Sequence, residues 1–95
     1  MSFTVKLSEE AIQTYDALTD QLRQRWGDAF VDKFATKVSK SLSTISISPY
    51  IYPVYSSDIR SCVLHKNCSM LYRIINSDVL VICFWDNRQD PIFTF

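Results

Sequence analysis

Apolar and polar positions change rhythm several times along this chain, and each change marks a different element. Phe3, Thr4, Val5, Lys6 and Leu7 alternate apolar with polar, the period of a short strand with one buried face. Ser8 then suits a helix N-cap, with Glu9 and Glu10 in the first turn, where carboxylates meet the positive end of the helix dipole. Ile12, Tyr15, Leu18, Leu22 and Trp26 recur every three or four residues, so the spacing predicts an amphipathic helix from Glu9 to about Arg25. Gly27, the single glycine, falls where that helix must stop, and Asp28 is expected to cap a second helix. Phe30, Phe34, Val38 and Leu42, flanked by Val31, Ala35 and Ile45, give helical spacing again. Two helices joined this tightly form an antiparallel hairpin whose shared apolar stripe needs a sheet to cover it.

Pro49, Pro53 and several serines make the stretch from Ser46 to Ser57 a crossing loop. Its tyrosines, Tyr50, Tyr52 and Tyr55, either line a groove for a partner or pin the loop onto the core. Three strands follow, about Asp58 to His65, Cys68 to Ile75 and Asp78 to Trp85, parted by Lys66-Asn67 and Asn76-Ser77. Two-residue separations containing Asn are hairpin signals, so these strands should form an antiparallel meander. Val79 to Trp85 is apolar without interruption, which places the last strand inside the sheet with both faces covered. The expected class is α+β in the order strand, helix, helix, three strands, as one domain over residues 1–95.

Register adds chemistry to this outline. If Lys66 and Asn67 are the two turn residues, His65 pairs with Cys68 and Arg60 lies directly opposite Arg73. Both arginines would then share a face with Cys62, Leu64, Ser69 and Leu71, while Ile59, Val63, Met70, Tyr72 and Ile74 face the helices. Like charges opposed across a ladder repel, so the pair calls for an anion: a phosphate, a partner's carboxylate, or one of Asp58, Asp78 and Asp86. His65 can serve as a general acid or base, or stand solvated at the hairpin tip.

Composition narrows the function classes. Ninety-five residues with 47% apolar content support a modest core. Ten basic residues balance ten acidic ones, and each half balances by itself, so stand-alone nucleic-acid binding through phosphate neutralisation is not expected. Cys62, Cys68 and Cys83 are odd in number and lack metal spacing; with no secretory leader or spanning segment in view, they suit a reducing cytoplasm. No cofactor or metal is implied, and the thiols read as small hydrophobes.

The C-terminal stretch carries a resemblance. Phe84-Trp-Asp-Asn-Arg-Gln-Asp-Pro91 resembles the closing motif of RelE/ParE-type toxins, and Arg25-Trp-Gly27, Asp58-Ile-Arg60 and Leu71-Tyr-Arg-Ile74 fall in that family's order. The resemblance implies a helical hairpin on a small sheet, the toxin half of a bacterial type II toxin-antitoxin pair, and an antitoxin that wraps it. Candidate antitoxin contacts are Tyr50, Tyr52 and Tyr55, the outer face of the helical hairpin, the open sheet face, and Ile92, Phe93 and Phe95, which either await a partner or fold back on the core. The family divides between ribosome-dependent mRNA endonucleases, similar to RelE, and DNA gyrase inhibitors, similar to ParE. A nuclease would use Arg60, Arg73 and Arg88 as cations and His65 or Tyr72 to move protons. RelE-like nucleases carry lysines along the second strand and an arginine early in the third, where this chain offers Arg60, Cys62 and Ser69. That departure leans the expectation toward gyrase, with the nuclease and a non-toxic interaction module as alternatives.

Overall fold

One serine joins the first strand to the first helix. The computed structural model describes residues 2–65 and 68–86, and in it β1 (Thr4–Leu7) gives way to α1 (Glu9–Trp26) through Ser8. The Ser8 Oγ accepts from the Ala11 amide at 3.0 Å and donates to the Ile82 carbonyl at 2.7 Å, so the helix cap is also a clamp on the sheet. Gly27, at φ 85°, ends α1 by donating its amide to the Arg23 carbonyl at 2.9 Å. Here the expectation for Asp28 fails: it is the first residue of α2 (Asp28–Ile47), and no side chain caps that helix. Its carboxylate instead accepts from Arg23 Nε at 2.8 Å, tying the two helices at their junction.

The remaining elements are β2 (Val54–Ser56), β3 (Ile59–His65), β4 (Cys68–Ile75) and β5 (Asp78–Asp86). The sheet runs β1-β5-β4-β3-β2, with β1 parallel to β5 and the other pairs antiparallel. The meander is as expected, and β5 lies inside the sheet as its apolar run requires. The short β2 is an addition: it hydrogen-bonds to the edge of β3 directly after Pro53, at the border where proline is tolerated.

Both helices pack on one face of the sheet. Ala11, Leu22, Val31, Phe34, Val38 and Ile45 meet Cys62, Leu64, Met70, Tyr72, Val79, Val81 and Phe84 in the main core, and a second cluster on the opposite face gathers Ile59, Leu71, Ile82 and Cys83. Two β-bulges decide this division. In β5 the ladder passes from Leu71↔Cys83 to Tyr72↔Val81, so Ile82 is an extra residue and both Ile82 and Cys83 face away from the helices. In β3 it passes from Val63↔Ser69 to His65↔Cys68, and Leu64 is the extra residue.

The β3 bulge overturns the expected register. His65 does pair with Cys68, but beyond the bulge every partner moves by one, and Arg60 lies opposite Tyr72 instead of Arg73. The faces of β3 invert accordingly: Cys62 and Leu64 join the helix-side core, Ile59 belongs to the opposite cluster, and Val63 is exposed. The faces of β4 are as expected, with Met70, Tyr72 and Ile74 toward the helices.

Candidate functional site

The inverted register sends the two arginines to different tasks. Arg60, on the helix side, donates from Nη1 to the Tyr52 carbonyl at 2.7 Å and the Tyr50 carbonyl at 3.3 Å, and its guanidinium lies 5.1 Å from the centre of the Tyr50 ring. Tyr72, its cross-strand neighbour, donates its buried hydroxyl to the Pro49 carbonyl at 2.6 Å. Together they bolt the crossing loop to the sheet. Tyr52 completes the lock, edge-on to Tyr72 at 6.5 Å; burial first, then a hydrogen bond with the Cys62 thiol, raises its phenol above the ordinary value. Tyr52 therefore pins the loop, whereas Tyr50 and Tyr55 stay exposed beside Ile51 and Val54.

Arg73 points to the other face and pairs with Asp58 at 2.7 Å. The hydrogen bond from Arg73 is the main reason that the Asp58 carboxyl is held below its usual value. Asp58 is thus the counter-ion that the register argument asked for, although it serves one arginine rather than an opposed pair.

His65 sits five residues from Arg60 along β3, roughly 16 Å at the rise of an extended strand. Its ring packs 5.6 Å from Phe30 and 6.3 Å from Trp26, half-buried against the helix junction rather than standing in solvent at a hairpin tip. Arg60, Arg73 and His65 therefore do not converge: they occupy a loop lock, an ion pair on the opposite face and an aromatic nook. Arg88, Ile92, Phe93 and Phe95 lie outside the described residues. All three cysteines are buried and free, and burial pushes the Cys68 thiol up to about 12 and the Cys83 thiol up to about 11, far from the thiolate that a nucleophile needs. Among the described residues, no group of His, Cys, Asp and Glu is placed to hold a metal.

What the structure assembles instead is an apolar groove of about 350 Å³ between the helices, walled by Leu7, Ala11, Ile12 and Tyr15 on one side and Ala35, Val38, Ser39 and Leu42 on the other, with Phe84 at its floor. Leu7 and Ile12 remain 45% and 50% exposed at the rim. Tyr15 is fixed in the wall by Phe84 at 5.1 Å and Phe34 at 6.2 Å. Thr14 anchors the floor: its Oγ1 accepts the Phe84 amide at 2.9 Å while donating back to the Glu10 carbonyl at 2.7 Å. The helical spacing of Ile12 and Tyr15 made this wall readable, but the contribution of Leu7 and Phe84 depends on where β1 and β5 sit.

No protein-family model and no curated protein matches this sequence. Solved structures match it in shape over nearly its whole length. The chromosomal ParDE toxin-antitoxin system of P. aeruginosa superposes with a TM-score of 0.75 at 13% identity, covering 90% of this chain and 96% of that one. The RelBE2 toxin-antitoxin complex of Mycobacterium tuberculosis gives 0.64 at 15% identity, covering 90% and 99%. The E. coli DinJ-YafQ toxin-antitoxin complex gives 0.63 at 10%, covering 99% and 100%. The chain has the RelE/ParE toxin fold. Within the RelE/ParE fold an identity of 10–15% leaves little for sequence comparison to hold, while the shape persists over at least 90% of this chain.

Proposed function

We propose that this chain is the toxin of a bacterial type II toxin-antitoxin pair, working in the cytoplasm and silenced by an antitoxin that lays an amphipathic segment into the groove between α1 and α2. The groove carries the reading. An apolar channel of about 350 Å³ with half-exposed leucine and isoleucine at its rim is surface that a solitary soluble domain gains nothing by presenting. It occurs on a fold some of whose solved neighbours are toxin-antitoxin complexes.

For the target we favour gyrase inhibition of the ParE kind over mRNA cleavage of the RelE kind. Cleavage by in-line attack needs cations and a proton carrier gathered around one phosphate. Arg60 is spent on loop carbonyls, Arg73 on Asp58, and His65 on an aromatic nook, so these three offer a nuclease no common centre. A surface that acts by binding needs no such convergence.

The test is induction of the chain alone and then with its neighbouring gene, with gyrase supercoiling and mRNA integrity measured in parallel. Growth arrest relieved by the neighbour and accompanied by lost supercoiling is expected. Codon-specific mRNA cuts that disappear in Arg88→Ala would transfer the assignment to the nuclease. Ile12→Glu should abolish relief by the antitoxin while arrest persists, because a carboxylate at the rim cannot be buried under an apolar segment without a large desolvation cost.

A further inference from the structure

Zero net charge hides a segregation that only the folded chain displays. The exposed positions of α1 include Glu9, Glu10, Asp16 and Asp20. α2 carries Asp28 and Asp32 in its first turns, but from Lys33 to Ile47 it carries Lys33, Lys37 and Lys40 and no carboxylate, and β3, which packs beside it, carries none either. The three lysines stand at intervals of four and three, one stripe along the helix, spanning about 10 Å. The ion pairs among the described residues are Lys6 with Asp78, Arg23 with Asp20 and Asp28, and Arg73 with Asp58, so all three lysines are left without a carboxylate partner.

Beside this stripe the surface is hollow. A depression of about 150 Å³ opens between α2 and β3, with Phe30, Phe34 and Leu64 as its floor and Lys33, Lys37 and His65 on its rim. Trp26, nearly half exposed and 4.9 Å from Phe30, extends the hollow at one end, where Arg25 and Asp86 border it as an oppositely charged couple. This hollow lies on the side of α2 away from α1, so it is separate from the interhelical groove.

We propose that the α2–β3 depression docks an acidic peptide segment, which sets one bulky apolar side chain on the Phe30–Phe34–Leu64 floor and its carboxylates on Lys33 and Lys37, with Lys40 steering its approach. Charge complementarity selects this occupant. Lys33 and Lys37, four apart on one helix face, repel each other until an anion lies between them. The apolar floor asks for a hydrocarbon group that a phosphate backbone does not offer. The stripe spans only about 10 Å, a length that a short acidic segment engages completely and a longer polyanion overruns. The site stands whether or not the chain proves to be a toxin.

The test uses the intact chain and a labelled twelve-residue peptide of glutamate pairs separated by leucines, followed by fluorescence anisotropy. Binding should weaken about tenfold or more in Lys33→Glu/Lys37→Glu, and similarly when salt is raised severalfold, because exposed charge pairs are screened. A peptide with glutamine for glutamate should lose the interaction. Ile12→Glu, in the other groove, should leave it within about twofold. Amide shifts on titration should centre on Leu64 and His65. Lys33→Gln/Lys37→Gln provides a second, milder variant, and circular dichroism verifies that both fold. Binding indifferent to the lysine variants, shifts centred on Leu7 and Ile12, or tighter capture of a single-stranded RNA twelve-mer than of the peptide would each overturn the proposal.

Discussion

The two ends of β3 treat positive charge in opposite ways. At the Arg60 end the cation is consumed by the fold: it satisfies two loop carbonyls, lies over Tyr50, and works beside the Tyr72 hydroxyl that holds Pro49. At the His65 end, Lys33 and Lys37 border an apolar hollow and engage no carboxylate among the described residues. Where a charge-assisted bond fixes a loop, the gain is rigidity and the arginine is unavailable for other work. Where charge is left beside apolar surface, the molecule keeps a recognition surface. Arg60 is turned onto the loop by the register of a bulged strand, whereas Lys33 and Lys37 stand on an exposed face of α2.

The contrast can be broken most severely at Tyr72. Tyr72→Ala should cost about 3–5 kcal/mol, since it opens a cavity in the helix-side core and strips Pro49 of its donor. Tyr72→Phe keeps the ring and should cost about 1–2 kcal/mol for the orphaned carbonyl. Burial pushes the Tyr72 phenol from 10.0 up to about 12, so the native state favours the neutral form. Its contribution is complete below the unfolded value and fades as pH climbs through the folded one. Urea unfolding followed across that alkaline window should fall less steeply for Tyr72→Phe than for the parent chain, with the residual slope coming from Cys68, Cys83, Tyr15 and Tyr52, which burial raises in the same sense. An unchanged slope would mean that Tyr72 is not the group being titrated.

Arg60→Ala should come next, at about 1–2 kcal/mol, because it removes charge-assisted bonds to two carbonyls that can partly turn to water. Limited proteolysis should show faster cutting between Pro49 and Pro53, and rigid cutting rates in the variant would indicate that Tyr72 and Tyr52 suffice to hold the loop. The smallest effect belongs to Asp58→Asn. Its pair with Arg73 is exposed on both sides, and such pairs contribute little at neutral pH. Because the folded carboxyl sits below its usual value, the pair helps above the unfolded carboxylate range and its help is lost as pH falls through the folded value. The variant should match the parent near neutrality and lose slightly less stability on acidification.

Local chemistry was the legible part of this sequence. The Ser8 cap, the stop at Gly27 and the Asn76-Ser77 hairpin turn each depend on a few neighbouring residues, and each stands where the pattern put it, as does the pairing of His65 with Cys68. The bulges were not legible, because Leu64 and Ile82 are ordinary apolar residues in apolar strands and nothing in their chemistry marks an extra position. That one hidden feature reversed the faces of β3 and moved Arg60 from a supposed cation pair to a loop lock. The same limit applies to the candidate sites. Ile12 and Tyr15 announced a helix face, but the groove also requires β1 to lie beside β5, a pairing between residues more than seventy positions apart. The lysine stripe was within reach of helical spacing; counting charges by halves of the chain averaged it away.

The pairing of β1 with β5 also has a bearing on the order of events in synthesis. A chain made from its N-terminus exposes β1 and both helices ahead of the meander, yet α1 packs chiefly on β5, and among the described residues β1 pairs with β5 alone. Until Asp78–Asp86 emerges, the helical hairpin has no central strand to sit on and the first strand has no neighbour. The contacts that close the domain are therefore among its most distant in sequence, which slows folding and defers it until β5 has been made. During that interval the apolar stripes of both helices are open to any companion, so a partner already present could meet the nascent hairpin before the finished sheet does.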